Sequence, residues 1–152
     1  MDAVFEGFVR RLFLDAARTH NIIVRKAGKG DQVYLTDEPT RIHGLRPDIL
    51  LLKGQNLLAV GDVKYTLEKP EHDKESHNQI FTYMMRWGTQ HATLIFPASE
   101  DDKEGASTYL IKNDREEKYL HLMRINLQTI DSSFACVQSL VKKIIDTSVS
   151  SA

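Results

Sequence analysis

Hydrophobic positions recur at two spacings along this chain, and the switches between them predict its elements. Val4, Phe5, Phe8, Val9, Leu12, Phe13 and Ala16 share one face at helical spacing, which predicts an amphipathic helix over 3–19. A β-branched run at 21–24 and a second strand at 32–36 follow, separated by the turn Lys26-Ala27-Gly28-Lys29-Gly30-Asp31. A polar loop over 37–44 holds Pro39, Arg41 and His43. Two apolar runs, 47–53 and 57–65, flank the polar stretch Lys53-Gly54-Gln55-Asn56 and predict a hairpin buried on both faces. A loop over 66–75 leads to a helix over 76–87, where Ile80, Met84 and Trp87 form one stripe with Phe81 and Met85 beside it. Residues 92–96 read as a buried strand ended by Pro97, and 99–107 as an acidic loop. Two strands over 108–112 and 119–127 surround the turn Asn113-Asp114-Arg115-Glu116. Asp131 or Ser132 caps a last helix whose apolar face is Phe134, Val137, Leu140, Val141, Ile144 and Ile145. The order is helix, three strands, helix, strand, two strands, helix. That is an α/β fold with a mixed β-sheet flanked by helices. One domain spans 1–146, and the Ser-rich stretch 147–152 is expected to be a disordered tail.

The hairpin carries charges that its apolar pattern does not explain. If Lys53 pairs with Leu57, Asp48 lies opposite Asp62, with Cβ atoms roughly 5 Å apart. Lys64, two residues beyond Asp62, projects from the same face. Two facing carboxylates beside an amine call for a compensating charge, and a divalent cation with oxygen ligands supplies one. Each residue also has an ordinary reading. An Asp after Pro opens a strand, Asp-x-Lys forms an ion pair, and a register slip of one residue separates the carboxylates. Glu6 and Arg10 are an i, i+4 pair beside the first stripe, and their spacing alone favours a surface salt bridge over a third carboxylate at the hairpin. Gln79 and Tyr83 lie one turn apart at the edge of the second stripe, where a half-buried amide and a core tyrosine are equally consistent with the spacing.

Composition narrows the class. The chain has 152 residues, enough for one domain with a real core, and its 41% hydrophobic and 27% charged content is that of a globular protein. A net charge of −1 gives no strong non-specific pull on nucleic acid, although residues 1–30 carry six basic against three acidic side chains and residues 98–118 four against seven. Cys136 is the only cysteine, which excludes an internal disulfide and a cysteine-based metal site. A reducing, cytoplasmic setting fits, and no apolar run is long enough to span a membrane. His72 and His77 are five apart, and the six histidines form no zinc pattern, so all read as structural or solvated. The turn at 26–31 lacks the spacing of a phosphate-binding loop.

Taken together, Pro47-Asp48 and Asp62-Val63-Lys64 on successive strands resemble the PD-(D/E)XK signature of metal-dependent nucleases. Gln79-Ile80-Phe81-Thr82-Tyr83 resembles the Q-x-x-x-Y helix motif of its RecB-like branch, and an acid in the first helix, Glu6, is similar to that branch as well. Phe5-Glu6, Pro47-Asp48-Ile49, Asp62-Val63-Lys64-Tyr65 and the Gln79–Tyr83 motif, in that order, look like the McrC nuclease subunit of McrBC-type and LlaJI-type restriction systems. The motifs cover about residues 4–83, and the C-terminal third agrees in pattern only. McrC-like subunits carry a region ahead of the nuclease helix that docks on a GTP-hydrolysing AAA+ ring. Here that helix opens the chain, which reads as an excised domain.

The resemblance implies a restriction-endonuclease-like core that hydrolyses phosphodiesters of double-stranded DNA. It implies Mg²⁺, with Mn²⁺ as a substitute, held by Asp48, Asp62, the Val63 carbonyl and Glu6. Lys64 would orient the attacking water or neutralise the scissile phosphate, and Gln79 and Tyr83 would orient the lysine or the DNA backbone. Lys74, Arg86 and the basic first helix are candidate phosphate contacts. Partners implied are an McrB-like AAA+ GTPase and, for double-strand cleavage, a second copy in a dimer. A CRISPR-associated or repair nuclease of the same superfamily, and a non-cleaving DNA-binding scaffold, are the alternatives.

Overall fold

The computed structural model describes residues 2–28, 33–34, 44–66, 69–98 and 105–150. Its elements in chain order are α1 (Asp2–Ala17), β1 (Ile23–Arg25), β2 (Val33–Tyr34), β3 (Gly44–Leu45), β4 (Ile49–Lys53) and β5 (Asn56–Val63). Then come α2 (Lys74–Trp87), β6 (His91–Pro97), β7 (Gly105–Lys112), β8 (Glu117–Ile125) and α3 (Ile130–Ser150). Six strands form one mixed sheet in the order β1-β4-β5-β6-β8-β7. The β4–β5 and β7–β8 pairs are antiparallel hairpins, whereas β5, β6 and β8 run parallel. The α2 crossover joins β5 to β6, as a parallel pair requires.

Helices cover both faces of the sheet, which is why its central strands are apolar on both sides. On one face α1 and α3 bury Phe5, Phe13, Val137 and Ile144 against Ile49, Leu51, Ala59, Ile95 and Met123. On the other, α2 buries Ile80, Tyr83 and Met84 against Leu50, Val60, Leu94 and Phe96. The expected α/β class and mixed sheet are therefore observed, in an arrangement compatible with a restriction-endonuclease-like core.

Local details differ from the pattern-based expectations. Helix α2 starts at Lys74, two residues early, because the Asp73 carboxylate caps it by accepting from the Ser76 N–H (3.1 Å) and hydroxyl (2.5 Å). Gly88 closes it at φ 70°, donating its N–H to Met84 O. Helix α3 begins at Ile130, ahead of the expected caps, after a clasp in which the Ser133 hydroxyl donates to Asn126 O and accepts from Asn126 N, each at 3.0 Å. It runs on to Ser150, so 147–150 are helical rather than a disordered tail, and 151–152 lie outside the described residues. Strand β7 starts at Gly105, inside the expected acidic loop, whose residues 99–104 lie outside the described ones. The expected 32–36 strand is seen as Val33–Tyr34, which pairs with Gly44–Leu45 in a separate two-stranded sheet. The loop residues 37–43, with His43, lie outside the described residues.

Two histidines are structural in a way that spacing did not reveal. His91 on β6 and His121 on β8 are fully buried, with Nδ1 of one 3.0 Å from Nε2 of the other. Their planes lie within 8° and their centroids 5.3 Å apart, a separation that fits edge-to-edge rings sharing an N–H···N bond. His121 Nδ1 lies 2.9 Å from the Thr108 hydroxyl, which accepts from Lys143 Nζ at 3.0 Å. An N–H···N bond needs a free lone pair on one ring, so the array favours neutral imidazoles. Burial, helped by Lys143, lowers His91 to about 4, and burial with His91 and Lys143 lowers His121 to about 3.

Because both folded-state values lie below the ordinary 6.5, the unfolded chain binds more protons in acid. Their contribution is complete above pH 6.5 and is lost as pH falls below it, by up to about 1.4 kcal/mol per pH unit for each ring. His121→Asn should flatten this acid limb in denaturant melts between pH 7.5 and 4.5, whatever it does to stability at pH 7.5. Parallel limbs in the two proteins would contradict the assignment.

Candidate active site

The site is built at one end of the β4–β5 hairpin. Strands β4 and β5 meet in a two-residue turn, Gly54-Gln55, with Gly54 at φ 62°, as a type II′ turn demands of its first central residue. Lys53 therefore pairs with Asn56, not with Leu57 as expected. One step later the register shifts: Leu52 faces Leu57, but Leu51 faces Ala59. The extra residue, Leu58, is a β-bulge that moves the ladder by one. Beyond it Leu50 faces Val60 and Ile49 faces Gly61, which brings the next residues, Asp48 and Asp62, side by side. The expected apposition holds, through a shorter turn and a compensating bulge. Gly61 allows close packing there, since a Cβ at that position would lie 3.3 Å from Ile49 Cβ.

Asp48 and Asp62 follow Leu50 and Val60 in strand alternation and so belong to the α2 face. The Asp48 Oδ2 accepts from the Val63 N–H at 2.9 Å, which fixes the carboxylate against β5. The Asp62 side chain is 7% exposed and lies beside the Asp48 carboxyl. Lys64 Nζ lies 2.7 Å from Asp62 Oδ2 and donates to Gln79 Oε1 at 2.6 Å. The Gln79 Nε2 in turn donates to the Tyr83 oxygen at 3.0 Å. Gln79 and Tyr83, one turn apart on α2, thus fix the lysine from behind. Five of the expected site residues, Asp48, Asp62, Lys64, Gln79 and Tyr83, form one connected set.

Electrostatics mark the same place. Burial raises Asp62 to about 7, the Asp48 carboxylate adds to the rise, and Lys64 opposes it. Burial also raises Tyr83 to about 12, with the charges of Asp62 and Asp48 adding, so the phenol stays neutral. A hard cation with oxygen ligands fits the donor set, because its charge would offset both the burial and the Asp48 repulsion that lift Asp62.

Glu6 stands apart from the pair. Helix α1 packs on the opposite face of the sheet, so Glu6 meets the end of β5 rather than the Asp48–Asp62 pair. It lines a cavity of about 280 Å³ with Val63, Lys64, Tyr65, Thr66 and Asp73. Its Oε1 is paired with Arg10 NH1 at 3.1 Å, the i, i+4 bridge expected from spacing, and with Lys26 Nζ at 2.9 Å. Among the described residues no three His, Cys, Asp or Glu side chains converge as a metal set. Two further participants were missed. Asp73 carries a local signal, an acid three residues before Ser76 at a helix start, whereas Lys26 reaches Glu6 by a non-local contact without one. Lys74 is exposed on the first turn of α2.

Comparison with known proteins bears on this arrangement. A family model described as "McrBC 5-methylcytosine restriction system component" matches residues 1–97, which include every residue named at the site. The chain belongs to the McrBC family. No curated protein matches it. Among solved structures, the McrBC-family chain is similar to a chain of a half-complex from the tetradecameric assembly of Thermococcus gammatolerans McrB AAA+ hexamers with bound McrC. The TM-score is 0.62 at 16% identity, over 93% of this chain and 33% of that one, so the similarity is one of fold. The McrBC-family chain spans about a third of that neighbour's length. Among its described residues, no helix is long and apolar enough to cross a membrane.

Asp62 yields a stability prediction for the metal-free protein. Its folded value lies above the ordinary 3.8, so its favourable contribution is complete below pH 3.8 and is lost as pH rises through about 7. Asp62→Asn should therefore gain about 1–3 kcal/mol relative to wild type between pH 5 and 8 in chelator, measured by denaturant unfolding. An equal loss of stability at both pH values would show instead that Asp62 and Lys64 form a structural ion pair.

Proposed function

We propose that this McrBC-family chain is the metal-dependent nuclease unit of a restriction system, with a PD-(D/E)XK site that hydrolyses phosphodiesters of double-stranded DNA. The observation that carries the proposal is the apposition of Asp48 and Asp62 beside Lys64, an amine held on two sides by a carboxylate and an amide. Asp48, Asp62 and the Val63 carbonyl would hold Mg²⁺ or Mn²⁺, with Glu6 reaching it through water from α1. Bound there, such a cation would polarise the phosphate and lower the pKa of a water.

The protein's own groups do the rest. Asp62 gives up the proton it holds near neutral pH when the site is loaded. Asp48 keeps one oxygen on the Val63 N–H, so its carboxylate turns little. Lys64 orients the attacking water or neutralises charge growing on the scissile phosphate. Gln79 holds the lysine in place, and the neutral Tyr83 phenol holds the amide of Gln79. A GTP-hydrolysing AAA+ ring of the McrB type is the proposed motor partner, and a second copy would cut the opposite strand.

Mg²⁺- or Mn²⁺-dependent cleavage of plasmid and linear duplex DNA, with and without the AAA+ partner, tests the proposal. Asp62→Ala and Lys64→Ala should each lose about 10²-fold or more in rate. Unimpaired cleavage by both variants, or no cleavage by wild type with the partner present, would contradict it. Gln79→Ala should cost about 10–100-fold through a loosened Lys64, as loss of an orienting partner does elsewhere. A wild-type rate would remove Gln79 from the site.

A further inference from the structure

We propose that Lys26 contacts a DNA phosphate next to the scissile bond; this rests on the nuclease reading and names a residue of the substrate path. In β1, Val24 is buried on the α1 side of the sheet, and Lys26 follows it in alternation. The β1–β4 ladder pairs Arg25 with Leu50, so one step further Lys26 lies level with Ile49, one residue from Asp48. Its ammonium is 2.9 Å from Glu6 Oε1, and Glu6 lines the cavity together with Val63, Lys64 and Asp73.

Lys26 is surplus to the neutralisation of Glu6. Arg10 engages the same oxygen from the same helix, and its side chain is 29% exposed against 54% for Lys26. If Lys26 leaves, the carboxylate keeps a charged partner at i, i+4. An exposed single-point lysine pair contributes little and is easily exchanged. Lys64, by contrast, is held by both Asp62 and Gln79. A phosphodiester entering a mouth lined by Glu6 and Asp73 meets repulsion, and Lys26, paired with Glu6 and free to exchange, is a cation placed to offset it together with Lys64.

The test is the salt dependence of duplex binding, read by anisotropy of a short labelled duplex in Ca²⁺ and, separately, in chelator. Lys26→Gln should lower the slope of log K against log salt in Ca²⁺ by about 0.9, the loss of one phosphate contact, and Lys26→Arg should keep the wild-type slope. A wild-type slope for Lys26→Gln, with wild type binding normally, would overturn the proposal. The same slope with a lowered melting temperature would also overturn it and make Lys26 a strut between β1 and α1. Failure of wild type to bind duplex in either condition would instead sink the nuclease reading, and this inference with it.

Discussion

The contact between the Asp48 and Asp62 carboxyls is the interaction on which the site depends. Two carboxylates that share a buried position repel, and the protein does not separate them. It holds Asp48 on the Val63 N–H and Asp62 on the Lys64 ammonium, and leaves Asp62 protonatable near neutral pH. Everything that positions these groups is backbone register. The bulge at Leu58 places the pair, the parallel β5–β6 ladder supports the strand that carries Asp62 and Lys64, and α2 returns Gln79 and Tyr83 over the same face. The site is rigid where charges crowd, with the Lys64 N–H donating to Ile95 O at 2.8 Å in the middle of the sheet.

Much of this was legible in the sequence because it is encoded by short periods. Strand alternation places Asp48, Asp62 and Lys64 on one face, and one helical turn places Gln79 above Tyr83. The register was read correctly from a wrong turn. A loop one residue longer and a tight turn followed by a bulge give the same apposition, and the apolar run 57–60 does not distinguish them. What stayed hidden is non-local. Lys26 meets Glu6 across two elements, and the His91–His121 pair joins strands thirty residues apart. Neither leaves a periodic trace. Nor does hydropathy show that α1 lies on the face opposite Asp62, which is why Glu6 reaches the end of β5 instead of the carboxylate pair.

The protein handles its buried polar groups in two contrasting ways. His91 and His121 are held neutral in an array running from Thr108 and Lys143, opposite α2, so they stabilise the parallel strands without charge. Burial and the neighbouring Asp48 carboxylate hold Asp62 in a state that the proposed cation would relieve. The first arrangement specifies how β6 and β8 sit together. The second stores repulsion where chemistry is proposed, as expected of residues kept for function.

Calorimetric titration of Mn²⁺ into wild type, Asp48→Asn and Asp62→Asn is the most direct measurement of whether the carboxylate pair is a metal site. Wild type is expected to bind saturably at neutral pH, with each substitution weakening binding by tenfold or more, about 1.4 kcal/mol. No binding by wild type, or equal binding by all three proteins, would contradict it.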